Sequence, residues 1–471
     1  MRKITIDPVT RIEGHAKVDI YLDDKGRVSD THFHVTQVRG FEKFTEGRPF
    51  YEMPSITARI CGICPVSHLL ASSKACDAIM SVAPPETGVK LRELVHCAQF
   101  VQSHALSFFH LSAPDLLLGF DSDPAKRNVF GLIEQNPEMA RMGVELRKFG
   151  QQLIEGLAQE RIHPSWIVPG GVNAPLQPVV REQTLKDLPH ARETATKTLD
   201  FFKSVMDQFA EEIANFGAEP TLYAGLADEA GGLQWYDGQM TFKDADGATV
   251  AKIARAKDYA KFIGEASLRD SYLKAPYYKP IGYPAGVYRV GPLARLNVAD
   301  SMGTPIADRE LAEFRQRLGG QAHSSFYYHY ARLIELVRGL ELIEVLLTDP
   351  EILATHVRAR ASVNCLEGVG MIEAPRGTLI HHYKVDETGA IRYVNLIVAT
   401  GHNNMAMNKS IATVAKHFVD GTQIKEGMLN RISAVVRAYD PCLSCSTHAD
   451  GTIEMQVTLR GADGTVLDEV R

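Results

Sequence analysis

Apolar and polar residues alternate over the first forty positions, and from about residue 56 the apolar positions recur at helical spacing. The alternation predicts three strands, in KITID at 3–7, HAKVDIYL at 15–22 and VSDTHFHVTQV at 28–38. The turn Asp23-Asp24-Lys25-Gly26 joins the last two. Helices are predicted near 88–113, 136–160, 185–216, 308–348, 350–364, 404–419 and 424–438, and the pattern is strongest over 311–347. The Pro- and Gly-rich stretches 164–178 and 275–293 hold aromatic and β-branched residues, so they read as ordered connections rather than flexible linkers. Residues 381–400 read as a hairpin around Glu387-Thr388-Gly389. No repeat or low-complexity tract appears. The expected fold is mainly α with small peripheral antiparallel β elements, an α+β arrangement.

Composition narrows this only slightly. With 471 residues, 45% of them hydrophobic, the chain can build a large core, and length alone would suggest two or three domains. A net charge of -6 argues against a nucleic-acid-binding surface. The opening MRKITIDPVTRIEGH has no apolar run like that of a signal peptide, and no stretch reaches the roughly 18 apolar residues of a membrane span. A soluble cytoplasmic protein is expected.

The cysteines change the picture. Cys76, Cys97 and Cys365 stand alone in apolar stretches and read as buried, inert thiols. The other four form two Cys-x-x-Cys pairs, Cys61/Cys64 in Arg-Ile-Cys-Gly-Ile-Cys-Pro-Val-Ser-His (59–68) and Cys442/Cys445 in Asp-Pro-Cys-Leu-Ser-Cys-Ser-Thr-His (440–448). Two such pairs offer four sulfurs to zinc, an iron–sulfur cluster or a soft transition metal. A structural zinc site is the ordinary expectation. Against it, zinc modules take ligands from nearby segments, whereas these pairs lie at opposite ends of the chain. Polar flanks, Arg59 and His68 on one pair and Asp440 and His448 on the other, also exceed what a closed zinc site needs. A thioredoxin-like redox pair is a third reading, but no βαβ pattern frames either motif.

These motifs, with Asp-Pro-Val-Thr-Arg-Ile-Glu-Gly-His at 7–15, resemble the large, catalytic subunit of nickel–iron hydrogenases along the whole chain. Ser-His-Ala-Leu-Ser-Phe-Phe-His-Leu at 103–111 and the sequence at 440–449 are most similar to the cytoplasmic, bidirectional, NAD-coupled branch. The resemblance implies that Cys61 and Cys442 are terminal nickel ligands and that Cys64 and Cys445 bridge nickel to an iron carrying carbon monoxide and two cyanides. Soft thiolates suit redox-active nickel, and the bridged arrangement leaves a position open where a closed four-thiolate zinc has none.

The resemblance also implies roles around the metals. Splitting hydrogen releases a proton that needs a base, and Cys442 followed by Glu13 would take it. Arg376, in Glu-Ala-Pro-Arg-Gly, would hang over the open side of the metals with its planar fork toward a cyanide, oriented by Asp440. Thr400 would hydrogen-bond the second cyanide. His68 would hydrogen-bond a bridging sulfur. Ser103 stands where relatives carry a second carboxylate, a departure that bears on how Arg376 is held. Glu42, His448 and the carbonyl of Leu396 would bind a magnesium-type ion.

Residues 449–471 read as a hairpin around Gly461-Ala462-Asp463-Gly464. In the family, an extension after this histidine is removed by a dedicated endopeptidase, after nickel-insertion chaperones have acted. Cleavage between His448 and Ala449 would divide a 1–448 body from the extension, and the second cysteine pair would reach the metals only afterwards. The chain has no further cysteine cluster, so electrons would leave through a separate iron–sulfur small subunit. It has no dinucleotide fingerprint either, so NAD and FMN would bind to diaphorase partner subunits. The alternatives are a cytoplasmic hydrogenase coupled to NADP, a deazaflavin or polysulfide, or a non-catalytic homologue like the quinone-chamber subunit of complex I, which lacks the nickel-binding cysteines.

Overall fold

The computed structural model describes residues 2–268, 271–421, 423–448, 457–460 and 465–470. Three antiparallel strands open it, β1 Arg2–Ile6, β2 Ala16–Leu22 and β3 Val28–Val35, with β2 central. The predicted turn at 23–26 is present, its Gly26 at φ +79°, and β3 ends three residues before its predicted limit. Next come α1 Pro65–Met80, α2 Glu86–Ala105, α3 Pro137–Ala158 and α4 Pro178–Val205. Proline opens α1, α3 and α4, where its missing N–H costs nothing and its fixed φ suits the first turn. A π-helical turn, Leu106–Ser112, follows α2 directly.

The middle of the chain holds strands that the periodicity did not predict: β4 Leu222–Ala227, β5 Gln239–Lys243, β6 Thr249–Ile253, β7 Ile263–Leu268, β8 Ser271–Tyr278 and β9 Tyr288–Arg289. Four of them form one sheet in the order β9-β4-β5-β6, and β7 and β8 pair as a hairpin. They are short and interrupted by turns, so none supplies a long enough alternation to read. Helices α5 Pro292–Val298, α6 Pro305–Leu318 and α7 Tyr328–Thr348 follow. The predicted helix at 350–364 is only a short 3-10 turn, Pro350–Leu353, followed by irregular chain. Its apolar positions still pack, Ile352 from the turn and Val357 from the irregular chain.

β10 Glu367–Ala374, β11 Gly377–Val385 and β12 Ile391–Ile397 form an antiparallel sheet, so the predicted hairpin is two strands of three. The last part is α8 Ala399–His402, α9 Asn404–Phe418, α10 Glu426–Tyr439, α11 Leu443–Ser446 and the antiparallel pair β13 Val457–Arg460 and β14 Val466–Val470. The predicted turn at 461–464 between that pair lies outside the described residues. One large core joins the first sheet, α1, α2, α7 and the final helices.

The contact that matters most for the site is α1 against β10. A Cβ on Gly370 would lie 1.9 Å from the carbonyl oxygen of Ala71, and one on Gly368 would lie 2.1 Å from that of Ala75. Only glycine lets strand and helix come this close.

Candidate metal centre

The first cysteine loop is organised locally. Cys61 is in extended backbone, and Cys64 is the N-cap of α1 with Pro65 next. The amides of Ile63 and Cys64 donate to the Cys61 sulfur at 3.2 and 3.4 Å. Cys64 therefore sits at the positive end of a 16-residue helix, which favours a thiolate.

The second loop is held from a distance. Cys442 caps only the four-residue α11. Its amide donates to Thr400 Oγ1 at 2.9 Å. Leu443 N–H donates to the Glu13 carbonyl at 3.1 Å, Ser444 N–H donates to Glu13 Oε2 at 3.1 Å, and the Ser444 hydroxyl bonds Glu13 Oε1. The Glu-Gly-His motif thus lies beside the second pair, its backbone bridged to Cys442 at Glu13.

The two loops bring four buried sulfurs within 4.8 Å of one another. Cys61 and Cys442 are 3.3 Å apart, Cys64 and Cys445 3.6 Å, and Cys442 and Cys445 2.6 Å. Among the described residues this is the one group of three or more His, Cys, Asp or Glu side chains placed to hold a metal. The second pair is in place in a chain that carries β13 and β14, so the expected displacement of this pair while the tail is attached is not found.

The thiols differ in acidity. The sulfurs of Cys442, Cys445 and Cys61 around Cys64 outweigh its burial and hold its pKa well below the usual thiol value. Burial pushes Cys442 and Cys445 well above it, and neighbouring sulfurs push Cys442 further.

Arg376 lies in the β10–β11 turn, 3% exposed. Its Nε donates to the Asp440 carbonyl at 2.7 Å and Nη2 to Asp440 Oδ1 at 3.1 Å. Nη1 reaches Ser103 Oγ only at 3.4 Å. Asp440 therefore supplies the hold that a second carboxylate at position 103 would share. Burial opposes the Arg376 charge, but Asp440 and the sulfurs of Cys442, Cys64 and Cys61 more than offset this, so the guanidinium stays a cation and not a base. Burial raises the Asp440 pKa against the pull of Arg376 and Arg332.

A small cavity opens beside the sulfurs, lined by Cys64, His68, Pro375, Arg376, Thr400 and Cys445 among others. Its walls combine apolar surface with a few convergent donors, which suits small ligands on a metal. His68 Nε2 is buried there without a hydrogen-bond partner.

A second small cavity is lined by Glu42, Leu396, His448, Cys445 and others. His448 Nδ1 is 2.9 Å from Glu42 Oε2, and Leu396 contributes its amide N–H to Glu42 Oε1 at 2.8 Å. Burial raises the Glu42 pKa, but His448 and the Leu396 amide outweigh it and the carboxyl stays below its ordinary value.

Two flanking residues stand apart from expectation. Arg59 is exposed and takes no part in the site. Cys76 and Cys97 are buried as expected, but Cys365 is exposed, its sulfur 3.2 Å from Ser81 Oγ. It follows the irregular 354–364 stretch, where a helix would have buried it.

Sequence reasoning missed Arg295. This fully buried arginine is forked by Glu335 at 2.5 and 2.7 Å and paired with Glu373 at 2.7 Å. It also donates to the carbonyls of Ala374 and Pro375 at 2.9 and 3.0 Å, the two residues before Arg376. Only its charge in an apolar helix, α5, marked it in the sequence.

The chain belongs to the nickel-dependent hydrogenase family, which matches residues 39–125 and 184–448, while a HoxL-like family matches residues 3–38. It is a hydrogenase large subunit, an enzyme, and the four buried sulfurs fit a nickel–iron centre. A vhu subunit of the F420-non-reducing hydrogenase of Methanocaldococcus jannaschii is 44% identical over 88% of this chain and 99% of its own. The NAD-reducing hydrogenase HoxS subunit beta of Cupriavidus necator is 40% identical over 99% of both chains. A crystal structure of an NAD+-reducing nickel–iron hydrogenase in the H2-reduced state superposes with a TM-score of 0.93 at 46% identity, covering 95% of this chain and 100% of that one. No helix among the described residues is long and apolar enough to cross a membrane.

Proposed function

We propose that this subunit catalyses the reversible cleavage of hydrogen and passes the electrons, through an iron–sulfur small subunit, to an FMN-containing diaphorase that reduces NAD in the cytoplasm. The observation that carries the reading is the convergence of four buried sulfurs from the two ends of the chain. It also counts against a non-catalytic homologue of the complex I type and against a zinc module built from neighbouring segments. Support for the NAD partner comes from the two NAD-reducing relatives, both of which align across nearly the whole chain. The methanogen relatives are the reason a different electron acceptor stands as the second reading.

In this reading Cys61, Cys442, Cys64 and Cys445 would hold nickel and an iron carrying carbon monoxide and two cyanides, the first two on nickel alone and the last two shared with iron. The bound centre supplies the redox chemistry that divides hydrogen into protons and electrons. The protein's own part is to hold and move the proton. Cys442 would receive it, and Glu13, bonded to the next loop residues Leu443 and Ser444, would carry it on. Arg376 stays a cation over the cavity and, with Thr400, would offer donors to the iron's ligands. His68 would donate to the Cys64 sulfur. Glu42 and His448, with Leu396, would hold Mg2+ in the second cavity. Residues 449–471 are removed after His448 by a maturation endopeptidase once chaperones have delivered nickel. This is supported by the family match ending at 448 and by the solved relative covering 95% of the chain.

The test is anaerobic purification of the assembled complex. Expected are nickel and iron in equal amounts, infrared bands of carbonyl and cyanide, hydrogen-dependent NAD reduction, and a large subunit lacking residues 449–471. Zinc alone would overturn the metal reading. Viologen reduction without NAD reduction would overturn the acceptor.

A further inference from the structure

Two periodicities meet at the α1–sheet contact. His68 and Ser72 are four residues apart on α1 and so share a helix face; His381 and Tyr383 are two apart on β11 and so share a strand face. The glycines of β10 bring these faces together. The result is a continuous buried chain. His68 Nδ1 is 3.1 Å from His381 Nε2, His381 Nδ1 is 2.6 Å from the Tyr383 hydroxyl, and that hydroxyl donates to Ser72 Oγ at 2.9 Å. All four side chains are at most 1% exposed. His68 Nε2, the far end of the chain, has no partner and lines the cavity with Cys64.

The direction is set at the open end. A thiolate has no hydrogen to give, so the His68 ring can bond Cys64 only with an N–H at Nε2. Burial holds His381 neutral, so that ring gives one of its two hydrogen bonds and accepts the other.

We propose that His381, Tyr383 and Ser72 are positioning residues that fix the ring of His68 through its Nδ1, so that an N–H at Nε2 is held toward the bridging thiolate of Cys64. His381 is the hydrogen-bond partner of Nδ1. This rests on the nickel–iron reading for the word bridging, while the chain itself stands on the geometry above. Partners at this remove from a metal alter affinity or activity by roughly 10–100-fold.

The experiment uses the assembled complex carrying His381→Phe, His381→Gln or Tyr383→Phe, beside wild type. Its readouts are metal content, the infrared bands of the iron ligands, and the ring-nitrogen signals of His68 in histidine-labelled protein, assigned by their loss in His68→Gln. Wild type should show His68 protonated on Nε2. His381→Phe should shift the infrared bands and lower turnover about 10-fold or more with nickel and iron retained. His381→Gln, whose amide offers both a donor and an acceptor, should recover part of both. Tyr383→Phe removes one oxygen and tests the chain if His381→Phe fails to fold. Loaded His381→Phe with wild-type bands and His68 signals would overturn the proposal, as would wild-type His68 unprotonated at Nε2. Wild type without nickel would instead sink the metal reading, and the ring signals would still decide the histidine chain.

Discussion

The two cysteine loops have the same Cys-x-x-Cys spacing and are built in opposite ways. The first is capped onto a 16-residue helix, with Pro65 at its start and two amides on the Cys61 sulfur. The second caps a four-residue helix and depends on Thr400, on Glu13 and, through its own His448, on Glu42, all three far away in sequence. The difference shows which half of the centre is ready early. A loop held by its own helix keeps its shape once that helix forms. A loop held by long-range bonds takes shape only when the body around it is complete, which suits a metal site that closes last.

The largest expected effect tests whether both loops are equally necessary. Cys64→Ser and Cys445→Ser should each abolish nickel and iron retention and hydrogen turnover, since in the proposed centre either change removes a soft ligand. Equal metal content in the two variants and wild type, measured by elemental analysis, would break the account of the centre. Next is Glu13→Gln. The amide still accepts from Ser444 and keeps the loop in place, so metals should stay while hydrogen turnover falls roughly 10²-fold or more. Normal turnover would remove Glu13 from the proton's path.

Arg295→Met tests the body behind the second loop. It leaves Glu335 and Glu373 as uncompensated buried charges, a loss of about 3–5 kcal/mol in urea unfolding. An unchanged midpoint would mean that the turn carrying Arg376 has another support.

Acid should separate the loops. His402 lies on α8 with Thr400, the anchor of Cys442, and burial holds its pKa down to about 3 from 6.5. Folded His402 is therefore neutral while the unfolded ring takes up a proton below pH 6.5. Stability from this group is complete above 6.5 and is lost as pH falls from there toward 3, by about 1.4 kcal/mol per pH unit. Hydrogen-exchange protection factors of residues 440–448, taken against the free-peptide rate at each pH, should fall between pH 7.5 and 5.5 more than those of residues 61–68. An equal fall would erase the contrast. The smallest effect is Pro65→Ala, which should cost α1 no more than about 1 kcal/mol, because the helix keeps its other contacts.

Long apolar periods made most helices readable, α7 above all, and the first sheet was readable because its strands alternate between clear turns. The strands between 222 and 289 were not, being short and broken by turns. Periodicity also misread 350–364, because apolar residues on extended chain can pack as well as those on a helix. At the site, Cys61, Cys64, Cys442, Cys445, Glu13, Arg376 and Asp440 were legible from motifs. Arg295 and the His381–Tyr383 pair were not, since one buried arginine or a His-x-Tyr on a strand has no spacing of its own.

By itself, then, the sequence determined the ligand chemistry: two soft pairs, a nearby glutamate, and an arginine after a turn proline, each fixed by residue type and short spacing. The tertiary structure decided everything that depends on distance between elements. It brought the ends of the chain within 4.8 Å at the sulfurs. It left Asp440 as the main hold on Arg376, and it set His68 at one end of a buried chain through the close approach of α1 and β10. Short-range geometry is written in residue order, whereas these contacts come from how a helix, a strand and a loop pack, and no local pattern encodes that.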